Sequence, residues 1–315
     1  MPLHRLLSTF LLLLPYGLWA QGDSLQSLIA NLQRYRQQGD YVNALVIAEQ
    51  GLRQFPQQIE LLNERAYCQL LNKNYAAAVQ LIEPLLHRTE ANVPTFQIAA
   101  LIYRALSDRK RVEQAYAIAL KKFPQSGVLH NDFGELRWEE KDPAAAIASW
   151  EEGIRSDPNY PGNYYHAALY YLPLENNFWG LLYGELFVNL ESFTERTTRI
   201  KKLLWEGYKR FYANLPHLQP PAADQEFERA CFHLLRQELE TFTRNWFDFY
   251  AQRFPFRLFD HYRQMIRMNL MEAYLNWLAG EVVHPEQTKA SLDHPGEAQQ
   301  QFFRLQQNRV FKIPA

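Results

Sequence analysis

Apolar residues recur along most of this chain three and four positions apart, and no window shows sustained alternation of apolar and polar residues. The pattern predicts helices and essentially no β-sheet. The helices come in pairs, and the pairs repeat. Phe55-Pro56 recurs as Phe123-Pro124, 68 residues on, and Asp157-Pro158 falls another 34 residues later. Units of 34 residues are thereby marked at 25–58, 59–92, 93–126 and 127–160. A short polar turn divides each unit: Gly39-Asp40-Tyr41, Lys73-Asn74-Tyr75, Ser107-Asp108-Arg109 and Lys141-Asp142-Pro143. Three residues after each turn stands a small or apolar residue, Ala44, Ala78, Val112 or Ala146. Two helices that cross closely need a small side chain there, because a large one holds the backbones apart. Gly51, Leu85, Ala119 and Gly153 recur later in the second helices. A fifth first helix, Asn163 to Leu172, follows in phase with Ala167-Ala168 at the crowded positions.

This spacing, with Pro closing the unit and small residues at the crossings, resembles the tetratricopeptide repeat over roughly 24–172. The sequence departs from the family pattern in places. Glu90 stands where the second unit should close on Pro, and Leu28, Leu62, Phe96 and His130 replace the Trp common near the repeat start. The resemblance implies a right-handed superhelix that holds another protein or peptide, with the first helix of each repeat lining the concave surface. Carried over by register, the groove residues are Asn63, Tyr67, Gln97, Leu101, Arg104, Asn131, Glu135, Trp138 and Tyr165. The family's two-carboxylate clamp is absent, since Ile29 and Gln33 occupy the places of its first pair.

Beyond Leu172 the sequence reads as helical but out of register. Asn176–Glu191 is apolar on nearly all sides, which predicts a buried helix completing a modified fifth hairpin. Thr197–Leu215 is amphipathic, and Pro216, Pro220 and Pro221 then break the chain. Asp224 is a candidate cap for a helix with the stripe Phe227, Cys231, Leu234, Leu235, Phe242, Trp246 and Phe249, ended by Pro255. Leu258–Leu278 reads as one helix with Gly280 as its C-cap. Pro285 and Pro295 frame a less ordered link, Gly296–Asn308 a last helix, and Val310–Pro314 an extended tail. The expected organisation is an N-terminal segment 1–20, repeats over 21–192 and an irregular α-helical C-terminal domain over 193–315. The overall expectation is an all-α tetratricopeptide superhelix followed by that domain. Several short stretches of the second half, among them Trp179–Glu185, Phe254–Asp260 and Arg309–Pro314, are similar to exported tetratricopeptide proteins of Gram-negative bacteria. That likeness carries architecture and an envelope location, but no activity.

The first twenty residues read as a secretory signal. Arg5 is followed by the apolar run Leu6–Leu14, the breaker Pro15-Tyr16-Gly17 and the small Ala20, after which cleavage is expected. The run is too short to span a bilayer, and charged or amide residues interrupt every later helix. Removing Met1–Ala20 takes away one Arg and no acid, so the net charge moves from -1 to -2. Such a balance argues against a nucleic-acid or anionic-membrane surface. The location expected is the periplasm, with secretion as the alternative. Cys68 and Cys231 sit among apolar neighbours and are expected to be separate buried thiols.

Motifs for chemistry are lacking. There is no His-Glu-x-x-His, Cys-x-x-Cys, glycine-rich phosphate loop or Gly-x-Ser-x-Gly, so no catalytic residue, metal or cofactor is assigned. Asp260 and His261 are adjacent, which on a helix turns their side chains about 100° apart. His284 and His294, with Glu286 and Asp293, read as solvated loop residues rather than ligands. An aromatic cluster, Tyr160, Tyr164, Tyr165, Tyr170, Tyr171, Phe178, Trp179, Tyr183 and Phe187, reads either as a core joining the two halves or as a ligand pocket. The function expected is a non-catalytic adaptor that holds a protein or peptide. An envelope enzyme with its site in the junction or C-terminal domain, or a structural subunit of a larger envelope complex, are the rivals.

Overall fold

The computed structural model describes residues 24–213, 235–241, 243–245, 248, 257–283 and 285–307. Expectations for the N-terminal signal, the Pro216–Pro221 break, the cap Asp224, Phe227, Cys231, Leu234, Phe242, Trp246, Phe249, Pro255, His284 and the Val310–Pro314 tail lie outside those residues. Among the described residues there is no β-strand, and no helix is long and apolar enough to cross a membrane. The chain divides into two compact units, Met1–Val112 and Glu113–Ala315.

The first unit holds α1 (Leu25–Gln37), α2 (Tyr41–Gln54), α3 (Ile59–Leu71), α4 (Tyr75–Ile82), a 3-10 turn (Glu83–His87) and α5 (Val93–Ala105), and α6 (Arg109–Lys122) begins in it. The second holds α7 (Gly127–Glu139), α8 (Pro143–Ser156), α9 (Pro161–Tyr171), α10 (Phe178–Leu190), α11 (Glu195–Ala213), α12 (Arg257–Arg267), α13 (Met271–Val283), α14 (Pro285–Asp293) and α15 (Glu297–Gln307). Residues 235–241 are helical as well, and Leu235 is buried as its stripe predicts.

The repeat shows in the backbone itself. Gly39, Lys73, Ser107 and Lys141, each 34 residues after the last, all take positive φ, from 56 to 75°. Each ends its first helix with a paired closure. Asp40 N–H donates to Tyr35 O at 2.9 Å and Gly39 N–H to Arg36 O at 3.0 Å, and Asp142 and Lys141 repeat the pair on Arg137 and Trp138 at 3.0 Å. These bonds satisfy carbonyls that a helix end leaves open, which offsets the strain of a left-handed residue. At three of the four turns the next residue, Asp40, Asp108 or Asp142, then caps the following helix through its side chain. Asp40 and Asp142 accept from the backbone N–H three residues on, at 3.1 and 3.0 Å. Ala44, Ala78, Val112 and Ala146 are buried at the crossings, as the sequence predicts. Ala146 is fully buried, so Ala146→Leu is expected to overpack α7 and α8 and cost about 1–3 kcal/mol. An unchanged thermal midpoint would place that crossing elsewhere.

One repeat departs in geometry. Pro84 has no N–H and its ring conflicts with the carbonyl four residues back, so α4 stops at Ile82 and tightens into the 3-10 turn.

The sequence pattern loses the register after Leu172, whereas the helices keep it. Leu25, Ile59, Val93, Gly127, Pro161 and Glu195 each open a helix, spaced by 34 throughout. Thus α11 starts where a sixth first helix would. Gly180 takes the place of Ala146, and a Cβ on it would come within 2.5 Å of Leu172 N. The markers have changed while the packing constraint persists. The second unit's largest core joins Tyr164, Leu172, Leu181, Phe187, Leu204, Trp205, Tyr262, Tyr274 and Phe302, drawn from successive helices of that unit.

Three expectations for the C-terminal part are corrected. Leu258–Leu278 is two helices, because Asn269 takes φ 56° and Leu270 N–H closes on Met265 O at 2.8 Å. Asn tolerates that conformation better than most residues, so the helix can end without Gly or Pro. Gly280 is no cap. It lies inside α13, where a Cβ would meet Thr288 Oγ1 at 2.7 Å, so its absence lets α14 approach. The link expected between Pro285 and Pro295 is largely helical, with Pro285 as the first residue of α14.

Candidate functional site

In the first unit the predicted groove residues divide into braces and exposed groups. Asn63 is buried, and its Nδ2 donates at 3.0 Å to Oδ1 of Asn92, the N-cap of α5. It therefore fixes the start of the next first helix. Tyr67 is partly buried under the Arg36 guanidinium, 5.2 Å from the ring centre. Arg36 also grips Glu64 through two bonds at 2.9 and 3.0 Å. Burial raises the Glu64 pKa, and Arg36 opposes it. Gln97 and Arg104 are half-buried on α5, and Leu101 is exposed there. Cys68 is a buried free thiol, as expected, and burial pushes its pKa up to about 12, which disfavours the reactive thiolate.

In the second unit Asn131, Glu135 and Trp138 lie along one face of α7, at spacings of four and three. Asn131 is buried, and its Nδ2 donates to Glu135 Oε1 at 3.2 Å. The same oxygen lies 2.8 Å from His166 Nε2 on α9. Glu135 is thus held from two sides while its side chain stays 43% exposed. Trp138 is 52% exposed. The Tyr170 ring, nearly perpendicular to it, lies 6.4 Å away and the tilted Trp150 ring 6.0 Å. Trp150 comes from α8 and lies flat against His166 at 4.9 Å, with its indole N–H on Asn131 O at 3.3 Å. Gly134 makes room for it, since a Cβ there would fall 2.2 Å from Trp150 Nε1. Tyr165 is buried, Arg199 donates to its hydroxyl at 3.1 Å, and Arg196 lies 5.0 Å over its ring.

His166, Trp150 and Arg199 were not singled out by the sequence. Arg199 had a signal, standing 34 residues after Tyr165. Trp150 had none, because a second-helix residue reaches this face only through the gap that Gly134 leaves.

The aromatic cluster is mostly core. Tyr164 donates to Pro158 O at 3.1 Å, and Tyr171 and Tyr183 donate to Glu151 Oε1 at 3.0 and 3.3 Å. Phe178 and Trp179, at the start of α10, are exposed.

Deeper in the second unit several polar groups are largely buried. Glu185 is 1% exposed and accepts hydrogen bonds from the hydroxyls of Tyr208, Tyr262 and Tyr274, the last at 2.6 Å. Burial raises its pKa to about 7, against the Tyr262 and Tyr274 hydrogen bonds. Lys201 donates to Trp277 O at 2.6 Å, and burial lowers its pKa to about 7, against the pull of Glu281. His261 is pushed down to about 4 by burial and by Arg257, while Asp260 is exposed, so the adjacent pair faces apart as predicted. Among the described residues no three His, Cys, Asp or Glu side chains are placed to hold a metal.

Residues 35–101 match the family model of the tetratricopeptide repeat. That stretch is tetratricopeptide repeat, within an all-α chain of helical hairpins. No curated protein matches the sequence. Among solved structures, a thermophilic tetratricopeptide protein of Thermus thermophilus is 22% identical and covers 57% of this chain and 98% of its own, with a TM-score of 0.45. MamA is 14% identical over 51% of this chain and 94% of its own, at 0.40. YrrB, described as a TPR protein with an unusual peptide-binding site, is 15% identical over 58% and 94%, at 0.38.

Proposed function

We propose that this chain is a non-catalytic adaptor of the bacterial envelope that holds a protein or peptide on the first-helix faces of its repeats. The observation that carries the reading is the exposed face of α7. An indole stands half in solvent there, beside a carboxylate fixed from two sides, and neither is needed to fill the core. Exposed tryptophan on a rigid, packed backing is the composition of a binding hot spot. Stacked helical hairpins serve such faces by presenting them on a stiff frame. Location in the envelope, periplasmic before secreted, is supported by the apolar run Leu6–Leu14 and the small Ala20 behind it.

The test is affinity capture with the full chain and two variants, Trp138→Ala and Arg104→Ala, from envelope and cytosolic extracts in parallel. Each variant is expected to weaken capture of the partner by at least about fivefold, the loss of a side chain worth about 1 kcal/mol or more. Helical content and melting should stay near those of the parent. Undiminished capture by both variants would remove the first-helix faces from the function. Equal capture from cytosol would overturn the envelope location.

A further inference from the structure

We propose that the α7 face between Glu135 and Trp138 receives a cationic side chain of the bound segment, arginine before lysine. This rests on the reading that the first-helix faces hold a peptide, and it names the chemistry of what is held. Glu135 and Trp138 are three residues apart, so their side chains are neighbours on one helix face. The carboxylate is already oriented by Asn131 at 3.2 Å and His166 at 2.8 Å. The indole is already flanked by the tilted Trp150 ring at 6.0 Å and by the Tyr170 ring, nearly perpendicular to it, at 6.4 Å. A guanidinium laid on that indole gains the attraction of a cation for an aromatic face. Its N–H groups point outward in its own plane, toward the carboxylate. A lysine packs its stem on the ring but brings a single point charge, and it should bind less well.

Charge on the same face favours this occupant. Asp132 and Glu139 share the stripe, three residues before and four after Glu135. The nearest basic residue of the helix, Arg137, points away. It is bonded to Glu113 at 3.1 Å and Glu140 at 2.9 Å, with its guanidinium 4.6 Å over Phe133. Of the basic residues on α11, Arg199 is spent on the Tyr165 hydroxyl and Arg196 is paired with Glu191. An acidic segment would meet repulsion at Glu135 and find no such ring-and-carboxylate seat.

The experiment uses short, capped, fluorescent peptides in which alanine alternates with arginine, lysine, glutamine or glutamate. Binding to the full chain is read by anisotropy. The arginine peptide is expected to bind about three- to tenfold tighter than the glutamine peptide, with lysine between them and glutamate weakest. Trp138→Ala and Glu135→Gln should each erase most of that preference, while Glu297→Gln, which removes the same charge from an exposed position at the start of α15, should leave it intact. Equal binding of arginine and glutamine peptides, or no binding of any, would overturn the proposal. An equal loss in Glu297→Gln would reduce it to non-specific attraction. If Trp138→Ala weakens every peptide alike, the adaptor reading stands and only the cation preference fails. If Trp138→Ala weakens none, the α7 face is not the seat and the cation proposal falls, while the adaptor reading is judged by the capture experiment.

Discussion

Gly180→Leu is expected to destabilise the chain by about 3 kcal/mol or more, at the upper end of what overpacking costs. The reason lies in what a side chain would meet. A Cβ at Gly180 would fall 2.5 Å from Leu172 N, 2.8 Å from its Cα and 2.9 Å from Tyr171 C. All three are backbone atoms, so no rotamer change can relieve the contact, and α9 and α10 must separate. Gly180→Ala should already be destabilising, even though alanine favours a helix over glycine by about 1 kcal/mol. Gly296→Ala is the matched control, because nothing lies within 4 Å of a Cβ there. Chemical denaturation of the three variants measures this. A Gly180→Leu midpoint equal to that of Gly296→Ala would mean that the fifth hairpin is not packed as described.

Gly180 also shows why part of the fold was legible and part was not. The first four repeats could be read because their crossings use small residues and most of their units close on proline, which local pattern detects. In the fifth, Gly180 meets the same steric demand with another residue, and Ser192 stands where Pro158 would recur. The register therefore vanished from the sequence while Glu195 still opened its helix on time. Asn269 hid a helix end in the same way, since an asparagine in the left-handed region leaves no glycine to find. On the candidate face, Asn131, Glu135 and Trp138 followed from register alone. His166 and Trp150 did not, because their placement depends on how α8 passes between its neighbours. The Glu185 cluster left no local trace either, as Tyr262 and Tyr274 reach it from 77 and 89 residues away.

That cluster carries the last prediction. Glu185→Ala would leave three buried tyrosine hydroxyls without their acceptor and should cost about 3 kcal/mol or more, since each buried donor left unsatisfied costs about 1–3 kcal/mol. The titration of Glu185 gives a sharper measurement. Burial raises its pKa from 4.5 to about 7 in the folded chain. A folded pKa above the unfolded one means that the native state binds the proton more tightly. The resulting stability is fully present below pH 4.5 and is lost as pH rises through about 7. Each pKa unit is worth about 1.4 kcal/mol, so this loss is on the order of 3 kcal/mol. His261 works in the opposite direction, because its pKa falls from 6.5 to about 4 and its contribution is lost as pH drops through that window. Total stability can therefore look flat between these limits while two slopes cancel. Glu185→Gln removes one slope and leaves the other. Denaturation of parent and variant across the window should show the parent's relative stability falling by about 3 kcal/mol from the acid to the neutral side. A difference independent of pH would show that Glu185 does not titrate there. The tyrosine hydroxyls, rather than burial, would then control its charge.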